Sequence, residues 1–181
     1  MNIVARPYGG CSCYCRPDTT WEREDKDFYV PDSVEGLYWA PVVFARISKA
    51  GKCIGQKFAS RYYDGFGFGA LLYCNDGPVA FTSCADHTSR LPFPLNGPDF
   101  LEEGKEYSVT VNGETVFTGV ADRTLIEETI CMASGTTSLR IGDFVAVEME
   151  PVRPLASRKD PEARIEGRFN GEATYGFKLI F

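Results

Sequence analysis

The sequence predicts a mixed α/β fold that is dominated by β-strands and forms a single domain over residues 1–181. Thirteen phenylalanines, nine tyrosines and 18 glycines favour strands and turns over long helices. Asn-Gly pairs at residues 112–113 and 170–171 are typical of tight hairpins. Only residues 122–133 show a clear helical spacing of apolar side chains. A chain of this length that is 44% hydrophobic can bury a core without disulfides or metals.

In the N-terminal half, short apolar segments at residues 2–5, 11–15 and 42–47 predict strands. Residues 55–73 predict a short helix after Gly55 that runs into a strand with glycine at alternate positions. This G-F-G-F-G-A spacing imitates a phosphate-binding loop, but no Lys-Ser/Thr pair follows it. The glycines therefore indicate a strand that packs closely against another backbone.

In the C-terminal half, Y-S-V-T-V-N-G-E-T-V-F-T at residues 107–118 predicts a type I′ hairpin. Asp122 is a good N-cap for the helix predicted at residues 122–133. A turn at Gly142-Asp143 then leads into a strand, and a second Asn-Gly hairpin closes the chain.

The charge of the chain excludes two classes of partner. A formal net charge of −6 and a pI near 4.9 are unfavourable for nucleic acid, since phosphate binding needs a basic surface. No basic run indicates an anionic membrane, and no segment reaches transmembrane length.

The first residues lack the apolar core of a signal peptide, so we expect a cytoplasmic protein. The seven cysteines are then expected to be reduced.

Several segments occur in a familiar order. They are R-P-Y at residues 6–8, R-P-D-T at 16–19, Y-W-A-P-V-V-F-A-R-I-S-K-A-G-K-C-I at 38–54, F-A-S-R-Y-Y-D-G-F-G-F-G at 58–69 and S-L-R-I-G-D-F-V at 138–145. This series resembles the fumarylacetoacetate hydrolase family in its short bacterial form, from about residue 1 to the C-terminus. The resemblance implies a mixed β-sandwich roll with one or two short helices.

The resemblance also implies a reaction: a Mg²⁺ or Mn²⁺ ion held by three carboxylates orients a β-diketo or 2-oxo acid for hydrolysis, decarboxylation or isomerisation. The three ligand positions fall on Trp39, Pro41 and Leu71, and none of these side chains can bind Mg²⁺. The family's lysine falls near Ser83, and its T-G-T-P-x-G loop is replaced by residues 147–152. The helix that carries the family's His/Glu dyad is missing after residues 6–8.

We therefore expect a non-catalytic relative that serves as a scaffold or small-ligand binder, with no cofactor. The expected ligand pocket consists of Tyr38, Trp39, Tyr73, Asp76, Phe81, Ser83 and Met149. The resemblance implies a homodimer, or a heterodimer with an active paralogue, and a small organic acid as ligand.

Two alternatives stay open. The first is a divalent-metal-dependent hydrolase, decarboxylase or isomerase with relocated ligands, drawn from Glu35, Asp64, Asp76 and Glu148. The second is a thiol site, or a soft-metal site for Zn²⁺, built from Cys11, Cys13, Cys15, Cys74, Cys84 and His87. Alternate residues of a strand lie roughly 6.5 to 7 Å apart, which is too far for one zinc ion.

More ordinary interpretations exist for each candidate group. The clustered cysteines are expected to be small buried side chains. Asp86-His87 is expected to form a surface turn, and Glu148 with Glu150 a solvated strand edge.

Overall fold

The computed structural model describes all residues except 75–78, 102–103 and 160–161. The described strands form two sheets. Strands are β1 Ile3–Arg6, β2 Tyr14–Arg16, β3 Trp21–Glu22, β4 Phe28–Tyr29, β5 Gly36–Ile47, β6 Tyr63–Cys74, β7 Ser89–Arg90, β8 Glu106–Val111, β9 Glu114–Val120, β10 Phe144–Glu148, β11 Arg153–Ser157, β12 Glu162–Phe169 and β13 Glu172–Ile180; helices are α1 Val79–Thr82 and α2 Arg123–Thr136. Short 3₁₀ turns cover Asp18–Thr20, Gln56–Arg61 and Pro98–Leu101.

The first sheet has the strand order β2-β1-β10-β5-β6-β7-β3, and β11 also pairs with β5. Its two edge strands, β2 and β3, are joined by only Pro17 and the 3₁₀ turn Asp18–Thr20. Such a short connection spans at most about 18 Å. The sheet must therefore curl until its edges approach each other, which makes it a roll.

The second sheet, in the order β4-β13-β12-β8-β9, packs on the outside of the roll. The side chains of β5 point alternately into two different hydrophobic cores. Ala40, Val42 and Phe44 face the roll interior, whereas Trp39 and Val43 belong to the core shared with the second sheet and α2. A tyrosine links the layers, since the Tyr107 hydroxyl donates to the Gly69 carbonyl at 2.9 Å.

The strongest local predictions are confirmed. Asn112 and Gly113 have φ values of 51° and 85°, and the second Asn-Gly pair, at residues 170–171, has 52° and 83°. Asp122 caps α2 by accepting a hydrogen bond from the Thr124 N–H at 2.5 Å. Among the described residues, no helix combines the length and apolar character needed to cross a membrane.

Two local predictions need correction. Of the strand predicted at residues 11–15, only Tyr14 and Cys15 lie in a strand, β2. A turn precedes it, in which Gly10 N–H donates to the Pro7 carbonyl, and the cysteines at its start stay irregular. The helix predicted after Gly55 is a 3₁₀ turn, Gln56–Arg61.

Gly69 shows the close packing against another backbone that the glycine spacing of β6 predicts, because a Cβ at this position would lie 2.1 Å from the Arg90 carbonyl oxygen on β7. We predict that Gly69→Ala forces these backbones apart and lowers the free energy of unfolding by at least about 2 kcal/mol. Urea denaturation measures the change. Gly135→Ala is the matched control, because a Cβ there meets nothing within 4 Å. Inside α2 it is expected to stabilise by up to about 1 kcal/mol. Equal stability of Gly69→Ala and the parent chain would contradict the packing described here.

Candidate functional site

A cleft of about 530 Å³ opens where β1 and β10 end, beside β9 and the first turns of α2. Residues 6–9, 117–120, 125 and 147–150 line it. These include the segment after β1 and the segment after β10 that the motif resemblance associates with catalysis. The cleft therefore lies where these two segments meet, and of the expected pocket residues it contains Met149.

Arg6 is fixed at one side of this cleft. Its Nε donates to the Gly10 carbonyl at 3.0 Å, and its Nη1 lies 3.2 Å from Glu128 Oε2 and 3.4 Å from Thr129 Oγ1. The guanidinium thus ties the N-terminal turn to α2, and its charge is balanced by Glu128.

Glu148 is the buried carboxylate of the cleft, with 5% of its surface exposed. The Tyr8 N–H donates to Oε2 at 3.0 Å, and the Tyr73 hydroxyl donates to Oε1. The expectation of a solvated strand edge is wrong for this residue. Glu148 pairs with Val42, whose side chain faces the roll interior, so the register turns Glu148 inward as well.

A chain of hydroxyl groups continues from Glu148 into the roll. The Tyr14 and Tyr73 hydroxyl oxygens lie 2.5 Å apart. Because Tyr73 gives its single proton to Glu148, Tyr14 is the donor of this second bond. Burial, together with the neighbouring Tyr14 and Glu148, raises the pKa of Tyr73 far above its usual value.

Arg16 lies behind this chain and is fully buried. Its Nε donates to Ser89 Oγ at 2.8 Å, and its Nη2 donates to the Leu72 carbonyl at 2.8 Å and to Thr88 Oγ1 at 2.9 Å. Its guanidinium carbon lies 4.9 Å from the centre of the Tyr73 ring. Arg16 thereby joins the β2 edge of the roll to β6 and β7. The R-P-D-T segment is the only sequence signal for this residue, and it does not reveal the burial.

The structure does not bring the three family ligand positions together. Trp39 is 2% exposed, packs in the core between the sheets and stacks under the Arg153 guanidinium at 5.2 Å. Pro41 is buried on the same strand, and its carbonyl accepts a hydrogen bond from the Met149 N–H at 2.8 Å. Leu71 pairs with Ala40 and therefore faces the roll interior, on the opposite side of the sheet from Trp39.

The expected pocket residues are dispersed too. Met149 lines the cleft. Tyr38 and Tyr73 are register partners on β5 and β6, but Tyr73 is buried in the hydroxyl chain, whereas Tyr38 is exposed. Ser83 is buried and Phe81 is exposed. Asp76 lies outside the described residues.

The relocated-ligand alternative gains no cluster from the structure. Asp64 accepts two hydrogen bonds from Arg46, at 3.2 and 2.7 Å. Glu35 is exposed and lies 3.8 Å from Arg158, and Glu148 is held by Tyr8 and Tyr73. Within the part of the chain that the structure describes, no three His, Cys, Asp or Glu side chains are placed to hold a metal ion.

The cysteines are not the small buried side chains expected from the sequence. Cys11 and Cys15 are exposed, and Cys13 is partly buried. Burial nevertheless raises the pKa of the Cys13 thiol, and that of Cys74, which favours the protonated and unreactive form.

His87 and Cys84 line a different cleft, of about 580 Å³. His87 Nδ1 lies 3.1 Å from Oε2 of the buried Glu22, while the imidazole stays 59% exposed. The expected surface turn is present, since His87 has a φ of 60°. Its pairing with Glu22 joins distant segments, so no local signal predicts it.

Comparisons with known proteins identify the fold. The sequence matches no protein-family model and no curated protein. A Yersinia pestis CO92 protein assigned to the fumarylacetoacetate hydrolase family superimposes with a TM-score of 0.79 at 17% identity, over 99% of this chain and 91% of that one. The fumarylpyruvate hydrolase from Pseudomonas aeruginosa, solved with Mn²⁺ and pyruvate, gives 0.79 at 18% identity, over 99% and 88%.

A 5-carboxymethyl-2-hydroxymuconate delta-isomerase from Mycobacterium smegmatis gives a TM-score of 0.79 at 16% identity, over 99% of this chain and 78% of that one. At 16–18% sequence identity, structural similarity of this kind shows that the fold is shared. The expected strand-dominated roll is confirmed, and this chain has the fold of fumarylacetoacetate hydrolase family proteins.

Buried tyrosines make this fold sensitive to alkali. Burial raises the pKa values of five tyrosines: Tyr14, Tyr63, Tyr73, Tyr107 and Tyr175. Tyrosines of the unfolded chain ionise near pH 10, so their contribution to stability is complete below about pH 10 and is lost as pH rises through the folded values. Burial lowers the pKa of Arg90 to about 10, which has the opposite effect on stability, but it is one group against five tyrosines. We predict that the free energy of unfolding falls steadily above about pH 10, as measured by urea denaturation.

Two variants test this assignment. Tyr73→Phe removes one titrating group and is expected to make the alkaline slope shallower, although it also lowers stability at neutral pH by about 1 to 3 kcal/mol because Glu148 loses a donor. Tyr29→Phe changes an exposed ring and is expected to leave the slope unchanged. Stability that is constant or rising above pH 10 would show that these tyrosines are not protected in the folded chain.

Proposed function

We propose that this chain is a non-catalytic protein of the fumarylacetoacetate hydrolase fold that binds a small molecule in the cleft beside β10, without a divalent cation. The observation that carries the proposal is the packing of Trp39. An indole in the core between two sheets supplies no oxygen ligand, and it fills the space into which a carboxylate at this position would point.

The carboxylates that do line the cleft support the same conclusion. Glu148 accepts hydrogen bonds at both oxygens from neutral donors. Glu150 lies 3.0 Å from the Arg153 guanidinium. Mg²⁺ and Mn²⁺ prefer about six oxygen ligands, and two occupied carboxylates are a poor substitute for three free ones.

The cleft also offers few side chains for acid–base catalysis. The only histidine of the chain, His87, lies in the other cleft and is paired with Glu22. Arg6 is fixed by Gly10 and Glu128. The residues that line the cleft are therefore suited to hold a ligand rather than to activate water.

A second candidate is favoured by one observation, the Mn²⁺ and pyruvate in the Pseudomonas aeruginosa structure. In that case this chain is a metal-dependent enzyme of 2-oxo acids, with Glu148 as one ligand.

Two further expectations stay predictions. They are the homodimer, or heterodimer with an active paralogue, and the cytoplasmic location.

Melting curves with Mg²⁺, Mn²⁺ and EDTA, combined with hydrolysis and decarboxylation assays on acylpyruvates and oxaloacetate, separate the two candidates. We predict no shift in melting temperature and no turnover. A cation at about a hundred times its Kd would add about 2.7 kcal/mol, which raises the melting temperature of a chain this size by several degrees.

A Mn²⁺-dependent shift would contradict the proposal, and two variants then identify its source. Glu148→Gln removes the cleft carboxylate but keeps its shape. Asp64→Asn removes an exposed carboxylate paired with Arg46, outside the cleft. A shift lost in the first variant and kept in the second would establish the metal-dependent alternative.

A further inference from the structure

The charged side chains of the cleft are not evenly balanced. Arg6, Glu148 and Glu150 line the cleft. Arg6 pairs with Glu128 at 3.2 Å, and Glu150 pairs with Arg153 at 3.0 Å. Glu148 accepts only from the Tyr8 N–H and the Tyr73 hydroxyl, and no described cation forms an ion pair with it.

The environment of Glu148 strengthens this imbalance. The side chain is 95% buried, since 5% of its surface is exposed, so charges near it are screened less than at the surface. Arg16 contacts the Tyr73 ring from within the roll and makes its hydrogen bonds to Ser89, Thr88 and Leu72. Arg16 also interacts with Tyr14, and it does not line the cleft. None of the charged side chains that line the cleft forms an ion pair with Glu148.

The cleft walls beside this carboxylate are mostly apolar. Phe117 and Val147 are buried at the base, and Leu125 and Met149 are partly exposed beside them. Val120 is exposed at the rim. A volume of about 530 Å³ is enough for a small molecule whose body contacts these side chains.

We infer that the ligand of this cleft is a protonated amine on an apolar body, with its ammonium group against Glu148. The inference rests on the proposed function, that the cleft binds a small molecule. Each carboxylate oxygen has a lone pair beyond the one that Tyr8 or Tyr73 uses, so an ammonium group can be added without displacing either donor. The charge preference is opposite to that of the organic acid expected from the family resemblance.

Two probes of matched shape and opposite charge test the inference: 2-phenylethylamine and 3-phenylpropanoate. Each is titrated to millimolar concentration into the ¹⁵N-labelled full chain at neutral pH, and binding is followed by amide chemical shifts. We expect the amine to shift Tyr8, Gly119 and Met149 and the acid to leave them in place. Binding is expected to weaken with added salt.

Matched variants assign the charge preference to one residue. Glu148→Gln is expected to weaken amine binding about tenfold, because it removes a buried charge–ammonium contact. Asp64→Asn, which removes a carboxylate outside the cleft that is paired with Arg46, is expected to leave binding nearly unchanged. Circular dichroism checks that both variants are folded.

A second pair of variants, at Leu125, provides the test if Glu148→Gln does not fold. Leu125→Lys adds an ammonium group at the cleft wall without touching the hydrogen bonds of Glu148, and Leu125→Met is its neutral control. We expect the lysine variant to lose amine binding and the methionine variant to keep it.

The outcomes separate this inference from the proposed function. Binding of the acid in preference to the amine, or of both equally, would overturn the cationic ligand and leave the cleft as a binding site. Failure of both probes to shift the cleft amides would overturn the inference itself. Failure of the proposed function appears elsewhere, as a metal-dependent melting shift or as turnover.

Discussion

The buried guanidinium of Arg16 is the interaction on which the architecture around the cleft depends. It comes from the edge strand β2 and binds Ser89 and Thr88 at β7 together with the backbone of Leu72 on β6. These bonds act together with the short connection between β2 and β3 and with the Tyr14–Tyr73 hydroxyl bond to hold the edges of the eight-stranded sheet close to each other. A buried charge is unfavourable unless it is hydrogen-bonded, and the bonds of Nε and Nη2 form only when β2 lies against β6 and β7, although Nη1 has no hydrogen-bond partner; Arg16 therefore favours one closed arrangement of the roll.

Closure of the roll determines how Glu148 is presented. Tyr14 on β2 reaches Tyr73 on β6 only because the sheet curls, and Tyr73 then donates to Glu148 at the end of β10. The carboxylate is thus held from inside the roll while its other oxygen is held by the Tyr8 backbone. In proteins of this fold that hold Mn²⁺, such as the Pseudomonas aeruginosa enzyme, a metal supplies positive charge. We propose that here a cationic ligand supplies it.

Sequence reasoning succeeded where the signal is local and failed where it depends on register. The Asn112-Gly113 turn and the Asp122 cap follow from neighbouring residues and were predictable. The motif order was enough to predict the roll. The face on which Leu71 lies, and the burial of Glu148, follow from strand pairing between distant segments, where a shift of one residue exchanges the two faces of the sheet. The Glu22–His87 pair is non-local for the same reason.

The most direct test of the metal-free cleft is crystallographic. Crystals of the full chain grown in Mn²⁺ would be measured at the manganese absorption edge, and the anomalous difference map would be examined around Glu148. We predict no peak in the cleft, with Trp39 still packed between the sheets and Glu148 still hydrogen-bonded to Tyr8 and Tyr73. A Mn²⁺ peak coordinated by Glu148 would contradict it and would make this chain a metal-dependent member of its fold.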